Sequence, residues 1–589
     1  MDRKTWLAIG LSIVGILLWQ WWYTSTYGPY LKEQERLQKE KTALAAAASP
    51  TPEVAATAAT PTPLPTPQPS AMAARTETLD AGKQGNQAEF LFNNDTGGIE
   101  TATLLKHLGE NREVIGLNRD RRMPIGAISN DSGAALGGFQ MMTDPAAGVV
   151  TFTRQGEDGV LIQKKFTLPP DTAVGSPYVV DLAITFQNTG ATKTTVAPFY
   201  VSTGASAPVH EQDLPTYTQF YWLKDGKPQK IDVNWFNESK IPLVGYQIRD
   251  ARTTYQENAP SVAWAAVTSQ YFATIVGTSG EGTAGSAVWA ARFAVPNEHG
   301  TTIYGMQGAL GMAGFDLEPG ASVTRTFQIY AGPKALSVLN KLGDDREAIM
   351  NFGMFGFVSK FLLWAMNLLH GLLGNYAAAI ILLTLCIKTA LWPLQNKATE
   401  SMKRMSLLSP KMTELREKYK DDPTKMNEEL MKLYKDYGVN PFSGCLPMMV
   451  QIPIFFGFYA MLGSAIELRN SSFLWVGDLS QPDTVAHFLG CPINILPLLM
   501  AGTMIWQMSI TPKSGDATQQ RMMMFMPIIF IVFAYNYASA LSLYWTTQNL
   551  FSIVQLYLTR NRPLPTLEKK SVAAKRQTAA LGKKKRPKR

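Results

Sequence analysis

The sequence predicts a polytopic α-helical membrane protein of six spans, five of them forming one core, with a large antiparallel β-sandwich held outside the membrane. Three observations predict it. Charge is divided as if between two solvents: residues 5–350 hold 26 Lys and Arg against 32 Asp and Glu, a net of −6, and the remainder hold 29 against 14, a net of +15. Uncharged apolar runs near the ~20 residues that a span needs recur after residue 375. Between residues 76 and 345, β-branched and aromatic runs of strand length are punctuated by Gly, Asn, Asp and Pro. A chain of 589 residues also has room for more than one domain.

Residues 1–24 read as an anchor. Arg3 and Lys4 precede an apolar stretch, 6–23, that ends in Trp19, Trp21, Trp22 and Tyr23. Such aromatics mark a membrane interface, and no small-x-small cleavage site follows, so an uncleaved span with its N-terminus inside is expected. Residues 25–75 begin as a short polar helix and become an Ala/Pro/Thr tether whose prolines forbid a regular helix or ladder. Residues 76–350 form the sandwich, with "YVVDLAITFQNTG" and "SVTRTFQIYAG" among its strand-like runs. No helices alternate with those strands, which argues against a parallel α/β sheet.

Residues 351–374, "FGFVSKFLLWAMNLLHGLLG" with one lysine, Lys360, are expected to form an amphipathic helix lying in the headgroup plane. The other reading is a two-span hairpin, which inverts the topology downstream. The core, 375–560, then supplies spans at 375–394, 439–466, 488–512 and two within 522–559, turning at "YNYASA". Loop 396–437 carries ten Lys and Arg, loop 513–521 two and the tail 560–589 twelve, whereas 467–491 carries only Arg469. By the positive-inside bias, the basic loops and both termini are cytoplasmic and the β-domain is outside.

Loop 396–438 reads as a helical hairpin. Asp422 and Pro423 fit an N-cap and first helical residue, and Gly438 fits the position just past a helix end. Met412, Leu415 and Tyr419 share one face, and Met426, Leu430, Leu433 and Tyr437 another. Two helices packing on each other explain that pattern. A mobile contact surface for a substrate or ribosome, formed by Met412, Leu415, Met426 and Leu430, is compatible with it. The three cysteines, Cys386, Cys445 and Cys491, have no CxxC spacing, so no metal site is expected and each reads as structural.

Lys388 stands inside the span 375–394, roughly 6 Å past its midpoint at about 1.5 Å per residue. A lysine near mid-bilayer costs about 2.5–3.5 kcal/mol. Either it snorkels to the cytoplasmic headgroups or it lines a wet cavity among the spans. Thr384 lies one turn away on its face. Gln451, Gln507, Asn536, Gln548 and Asn549 place neutral polar groups in or near other spans. No span carries an acid to pair with Lys388, and prolines 447, 453, 497 and 527 free backbone groups that help open a groove.

"KTALWPLQNKATESMKRMSLLSPKMTELREKYKDD", "NPFSGCLPMMVQIPIFFGFYAML" and "FMPIIFIVFAYNYASALSLYW" resemble the YidC/Oxa membrane protein insertases, and the whole layout is similar to their Gram-negative form. The resemblance implies a bacterial inner membrane protein with a periplasmic β-domain and an intramembrane groove open to the cytoplasm and lipid. It implies that Lys388, with Thr384, Gln451 and Gln548, draws in the polar segment of a nascent membrane protein. The apolar segment would slide past Ile452, Phe455 and Tyr544 into lipid. The family usually has Arg where this chain has Lys388, so the charge is kept and the bidentate fork is lost. Implied partners are nascent membrane proteins, Sec translocon components, anionic lipids and the ribosome, met by the basic tail 561–589 and the cytoplasmic loops; DNA is not among them. No cofactor is implied. His107, His210 and His299 are too scattered in sequence to suggest catalysis. The competing function is a small-molecule transporter with Lys388 as its anion site, which predicts inverted repeats that the sequence does not show.

Overall fold

The computed structural model describes residues 76–560 apart from 82–86, 110–111, 120–122, 130–133, 171, 211–212, 241–246, 281–283, 296–301, 440–445, 489–490 and 512–516. The expected first span, the tether and the basic tail lie outside the described residues.

Strands Thr76–Ala81, Ala88–Asn93, Gly98–Leu108 and Val114–Leu117 form a four-stranded sheet in chain order. A larger sheet of thirteen strands follows, all its pairings antiparallel. Period-two alternation sets its inner face: Val180, Leu182, Ile184 and Phe186 of strand Val179–Asn188 are buried. The ladder folds over at the long strand Thr254–Thr268. Its first half pairs with Gly285–Val295, and its second half pairs with Gln219–Lys224 and Phe272–Ser279. The break lies between Asn258 and Val262, where Ser261 takes φ +67° and shifts the register. Phe92, Phe152 and Phe166 meet at 5.1–6.0 Å in the core. Gly308 lets Phe220 lie across its strand, since a Cβ there would stand 2.3 Å from that ring.

Eight α-helices follow or edge this domain among the described residues: α1 (Leu336–Leu342), α2 (Gly356–Leu373), α3 (Tyr376–Lys418), α4 (Pro423–Tyr437), α5 (Leu446–Leu462), α6 (Ile495–Ile510), α7 (Ala517–Ala534) and α8 (Ser539–Arg560). Gly374 ends α2 at φ +67°, and the Asn375 side chain then caps α3 by accepting from the Ala378 N–H. The two helices thus turn on two residues. α2 buries Leu362, Leu363, Ala365 and Met366 and exposes Phe357, Phe361, Trp364, Leu368 and Leu372 on the opposite stripe.

Two sequence expectations need correction. The span at 375–394 and the first hairpin helix are one continuous 43-residue helix, α3, which runs through Pro393 and Pro410. Each proline removes one backbone donor, and the turns beyond Pro393 are held by burial of Ala398 and Thr399 and by a Lys403 Nζ bond to the Thr559 carbonyl. The span expected over 488–512 is a helix only from Ile495. Thr484–Phe488 and Cys491–Asn494 form a β-hairpin instead, and Asn494 anchors it by donating to the Tyr535 carbonyl at 2.6 Å. Among the described residues, Gly353–Leu373 and Tyr376–Lys418 are long and apolar enough to cross a bilayer; Met449–Leu462, Ile495–Ile510 and Phe525–Ala534 are shorter apolar helices.

Candidate functional site

The site is built on one face of α8. Tyr544, Gln548, Ser552, Gln555 and Thr559 recur at spacings of four, four, three and four, which places them on one stripe. Leu550, Val554 and Leu558 occupy the opposite side and are exposed. α8 packs closely on α3 and α6, whereas α5 touches α3 and α8 sparingly. The polar stripe faces that looser junction of α3, α5 and α8.

Each polar group there has a partner. Lys388 Nζ, from α3, donates to Ser552 Oγ at 3.3 Å. Gln451 Nε2, from α5, donates to Tyr544 Oη at 3.1 Å and to Gln548 Oε1 at 3.0 Å. Gln555 Nε2 donates to Asn396 Oδ1 at 3.1 Å. Lys388, Gln395, Gln451 and Gln555 line a small pocket of about 10 Å³, room for roughly one water. Among the described residues no carboxylate pairs with Lys388, so its contacts here are a hydroxyl and the pocket.

The structure thus brings together Lys388, Gln451 and Gln548. Thr384 stays apart: it is buried and its hydroxyl donates to the Ile380 carbonyl of its own helix. Asn549 faces α6, donating to the Met500 carbonyl and Thr503 Oγ1. Asn536 lies at the far end, beside Asp213 and Gln270 of the β-domain. Ser552, Gln555, Asn396 and Lys403 were missed from the sequence. Ser552 and Gln555 had a signal, the three-and-four spacing of polar residues along the apolar run of α8; Asn396 and Lys403, in the basic loop, had none.

The expected slide residues divide by exposure. Ile452 is 42% exposed, and Phe455 is half-buried with its ring 4.9 Å from Trp545. Tyr544 is 2% exposed, stacked on Phe458 at 4.2 Å, and serves as a polar anchor for Gln451 rather than as an exposed apolar surface. With Tyr459 stacked on Tyr537 at 4.8 Å, these rings fill the end of the junction nearest the β-domain.

In the hairpin, the Asp422 side chain accepts from the Lys425 N–H, and Gly438 takes φ +64° past the end of α4. Leu408, Met412, Leu430 and Val439 form its buried seam, with Leu415 and Met426 packed against it. Met412 and Leu430 are therefore out of a partner's reach while the seam is closed; Leu407 and Met431 are the exposed apolar side chains of the pair.

Arg469 docks the β-domain on the helices. Its Nη2 donates to the Leu108 carbonyl at 2.7 Å and meets His210 Nε2 at 3.1 Å, and its guanidinium lies over Tyr271 and Phe272. Gln270 Nε2 adds a bond to the Gly463 carbonyl at 2.8 Å. His107, in the same neighbourhood, has its pKa lowered to about 4 by burial and then by the Arg469 charge. Two of the three scattered histidines thus converge on the one cation of its loop.

Comparison with known proteins agrees with this division. Residues 92–365 match the family model for the YidC periplasmic domain, and residues 368–565 match that for the 60Kd inner membrane protein. A membrane protein insertase YidC of Syntrophobacter fumaroxidans is 33% identical over 71% of this chain and 71% of its own length. That of Nitratidesulfovibrio vulgaris is 35% identical over 69% and 70%, and that of a Geobacter species is 31% identical over 74% and 75%. A crystal structure of an active YidC insertase with its first transmembrane domain resolved aligns over 83% of this chain and 95% of that one, at 19% identity and a TM-score of 0.32. On the sequence matches, this chain belongs to the YidC family, bacterial inner membrane proteins that carry a periplasmic domain.

Proposed function

We propose that this chain is a membrane protein insertase and chaperone that passes nascent membrane proteins into lipid through the polar junction of α3, α5 and α8. The observation that carries the reading is Lys388 lying against the polar stripe of α8 with no carboxylate partner among the described residues. A half-buried ammonium so placed favours a visiting carboxylate or a hydrated polar segment. The Gln451, Gln548 and Gln555 amides can exchange their mutual bonds for bonds to a passing peptide. Ile452 and the exposed residues of α8 offer the apolar segment a path beside it. Burial of that segment in lipid supplies the driving force, about 25 cal/mol per Å². No catalytic step is assigned.

In this reading the chain crosses the membrane six times, at 6–23 and through a five-span core of α3, α5, α6, α7 and α8. α2 lies in the outer interface with Phe357, Phe361 and Trp364 in lipid. Both termini and the α3–α4 hairpin are cytoplasmic, where the basic loops and tail meet the ribosome and anionic lipid. Insertion proceeds alone or with the Sec translocon. The aromatic cluster around Tyr544 closes the junction toward the periplasm. A photo-crosslinker placed at Ser552 tests this: it should capture the polar segment of a stalled nascent chain, while one at Leu550 on the opposite face should not. Equal capture from both positions would sink the proposed path.

A further inference from the structure

A cleft between the β-domain and the start of α2 is left unused by the insertion path. It has two halves that share Lys230, Asn351, Phe352 and Gly353. One half, about 450 Å³, adds Asp345, Glu347 and Lys360. The other, about 420 Å³, adds Met354, Phe355, Phe456 and Tyr459. Each is the size of a small-ligand site. The first half is polar and of mixed charge: Lys360 Nζ stands 3.4 Å from Glu347 Oε1, Lys230 donates to Asn351 Oδ1, and Asp345 is exposed. The second half sets Met354, Phe355 and Phe456 beside Thr216, Gln219 and Asp232. It opens onto Met354, 86% exposed, and continues into the exposed stripe of Phe357 and Phe361.

We propose that this cleft docks one membrane phospholipid whose headgroup carries both a phosphate and a primary ammonium. The phosphate lies against Lys230 and Lys360, and the ammonium lies against Glu347 and Asp345. The glycerol and first methylenes rest on Phe355, Phe456 and Met354. The mixed charge selects the class. A purely anionic headgroup would meet two carboxylates at close range, and a quaternary ammonium has no N–H to donate to them. The half that opens onto Met354 and the exposed stripe of α2 is the side from which a lipid would enter. The proposal rests on α2 lying at the membrane surface, as read above. A lipid held there fastens the joint between the β-domain and the helices.

The test uses the full chain, purified in mild detergent from vesicles of equal phosphatidylethanolamine and phosphatidylglycerol and examined by native mass spectrometry. One phosphatidylethanolamine per chain should be retained over phosphatidylglycerol. The Lys230→Ala/Lys360→Ala double variant, checked for an unchanged thermal unfolding profile, should lower retention about tenfold for the lost charge-assisted contacts. Vesicles with phosphatidylcholine in place of phosphatidylethanolamine should give little retention, and Glu347→Gln should erase the difference between the two. Wild-type retention by the double variant overturns the site, and a preference for phosphatidylglycerol overturns its headgroup class. A nitroxide on Phe361→Cys, with the three native cysteines replaced by serine, separates the two readings. Exposure of that label to water overturns the placement of α2 and the cleft proposal with it. A lipid-buried label without selective retention overturns the cleft proposal alone.

Discussion

The β-domain and the helical region expose opposite things. Among the described residues, the β-domain leaves only Val114, Met142 and Val174 as exposed large apolar side chains; the others all lie beyond residue 350. The helical region turns Ile505, Trp506, Ile528, Ile529 and Val532 outward and buries Ser552, Gln555 and Thr559. Water explains the first arrangement and lipid the second, because exposure to hydrocarbon carries no penalty for an apolar side chain. One chain thus builds two surfaces by two rules. The polar stripe of α8 follows the second rule, and the path proposed above runs along it.

Substitutions that act differently on the two sides sharpen this contrast. The largest effect is expected at Trp264, fully buried with its indole N–H donating to the Asp344 carbonyl at 2.7 Å. Trp264→Ala should cost about 3–5 kcal/mol in urea unfolding of the solubilised chain, whereas Trp506→Ala, on the lipid-facing side, should cost under about 1 kcal/mol. Equal losses would mean that Trp506 is packed inside protein. Next, Val532→Lys should impose about 2.5–3.5 kcal/mol on membrane integration, while Met142→Lys should stay within about 0.5 kcal/mol in the same glycosylation-mapping assay. A tolerated Val532→Lys would place water, not lipid, against α7.

A smaller effect is expected from pH. The folded pKa of His107 is lowered from 6.5 to about 4, so above 6.5 the residue is neutral in both states and contributes nothing. As pH falls from 6.5 toward 4 the unfolded chain binds a proton that the folded chain refuses, and stability declines. Thermal unfolding of the wild type should fall more across that window than that of His107→Gln. Parallel curves would show that burial beside Arg469 leaves the ring free to titrate.

The sandwich was legible because strand alternation is local: the buried set of strand Val179–Asn188 is its even-numbered residues from 180 to 188, with Val179 also covered. Its fold-over at Ser261 was not legible, since a bulge in a 15-residue strand depends on which partners each half finds. In the helical region, charge-free runs revealed the apolar segments, but the 488–494 hairpin and the unbroken α3 depend on tertiary partners such as Tyr535 and Thr559. Lys388 was legible because a charge in an apolar run costs energy. Its partner Ser552 was not, because a serine in such a run costs little until its spacing from Gln548 and Gln555 is noticed. Arg469, His107 and His210 meet across hundreds of residues, and no pattern along the chain announces that.

The role proposed for Lys388, which meets no carboxylate among the described residues, is to draw in the passing substrate. It is tested most directly in cells depleted of the native protein and supplied with variants, by pulse-labelling the insertion of short single- and double-span substrates. Near-normal insertion is expected with Lys388→Arg, reduced insertion with Lys388→Ala and a deeper loss with Lys388→Glu, each at equal protein level. Equal insertion by all three, or normal insertion in cells given none of them, would contradict it.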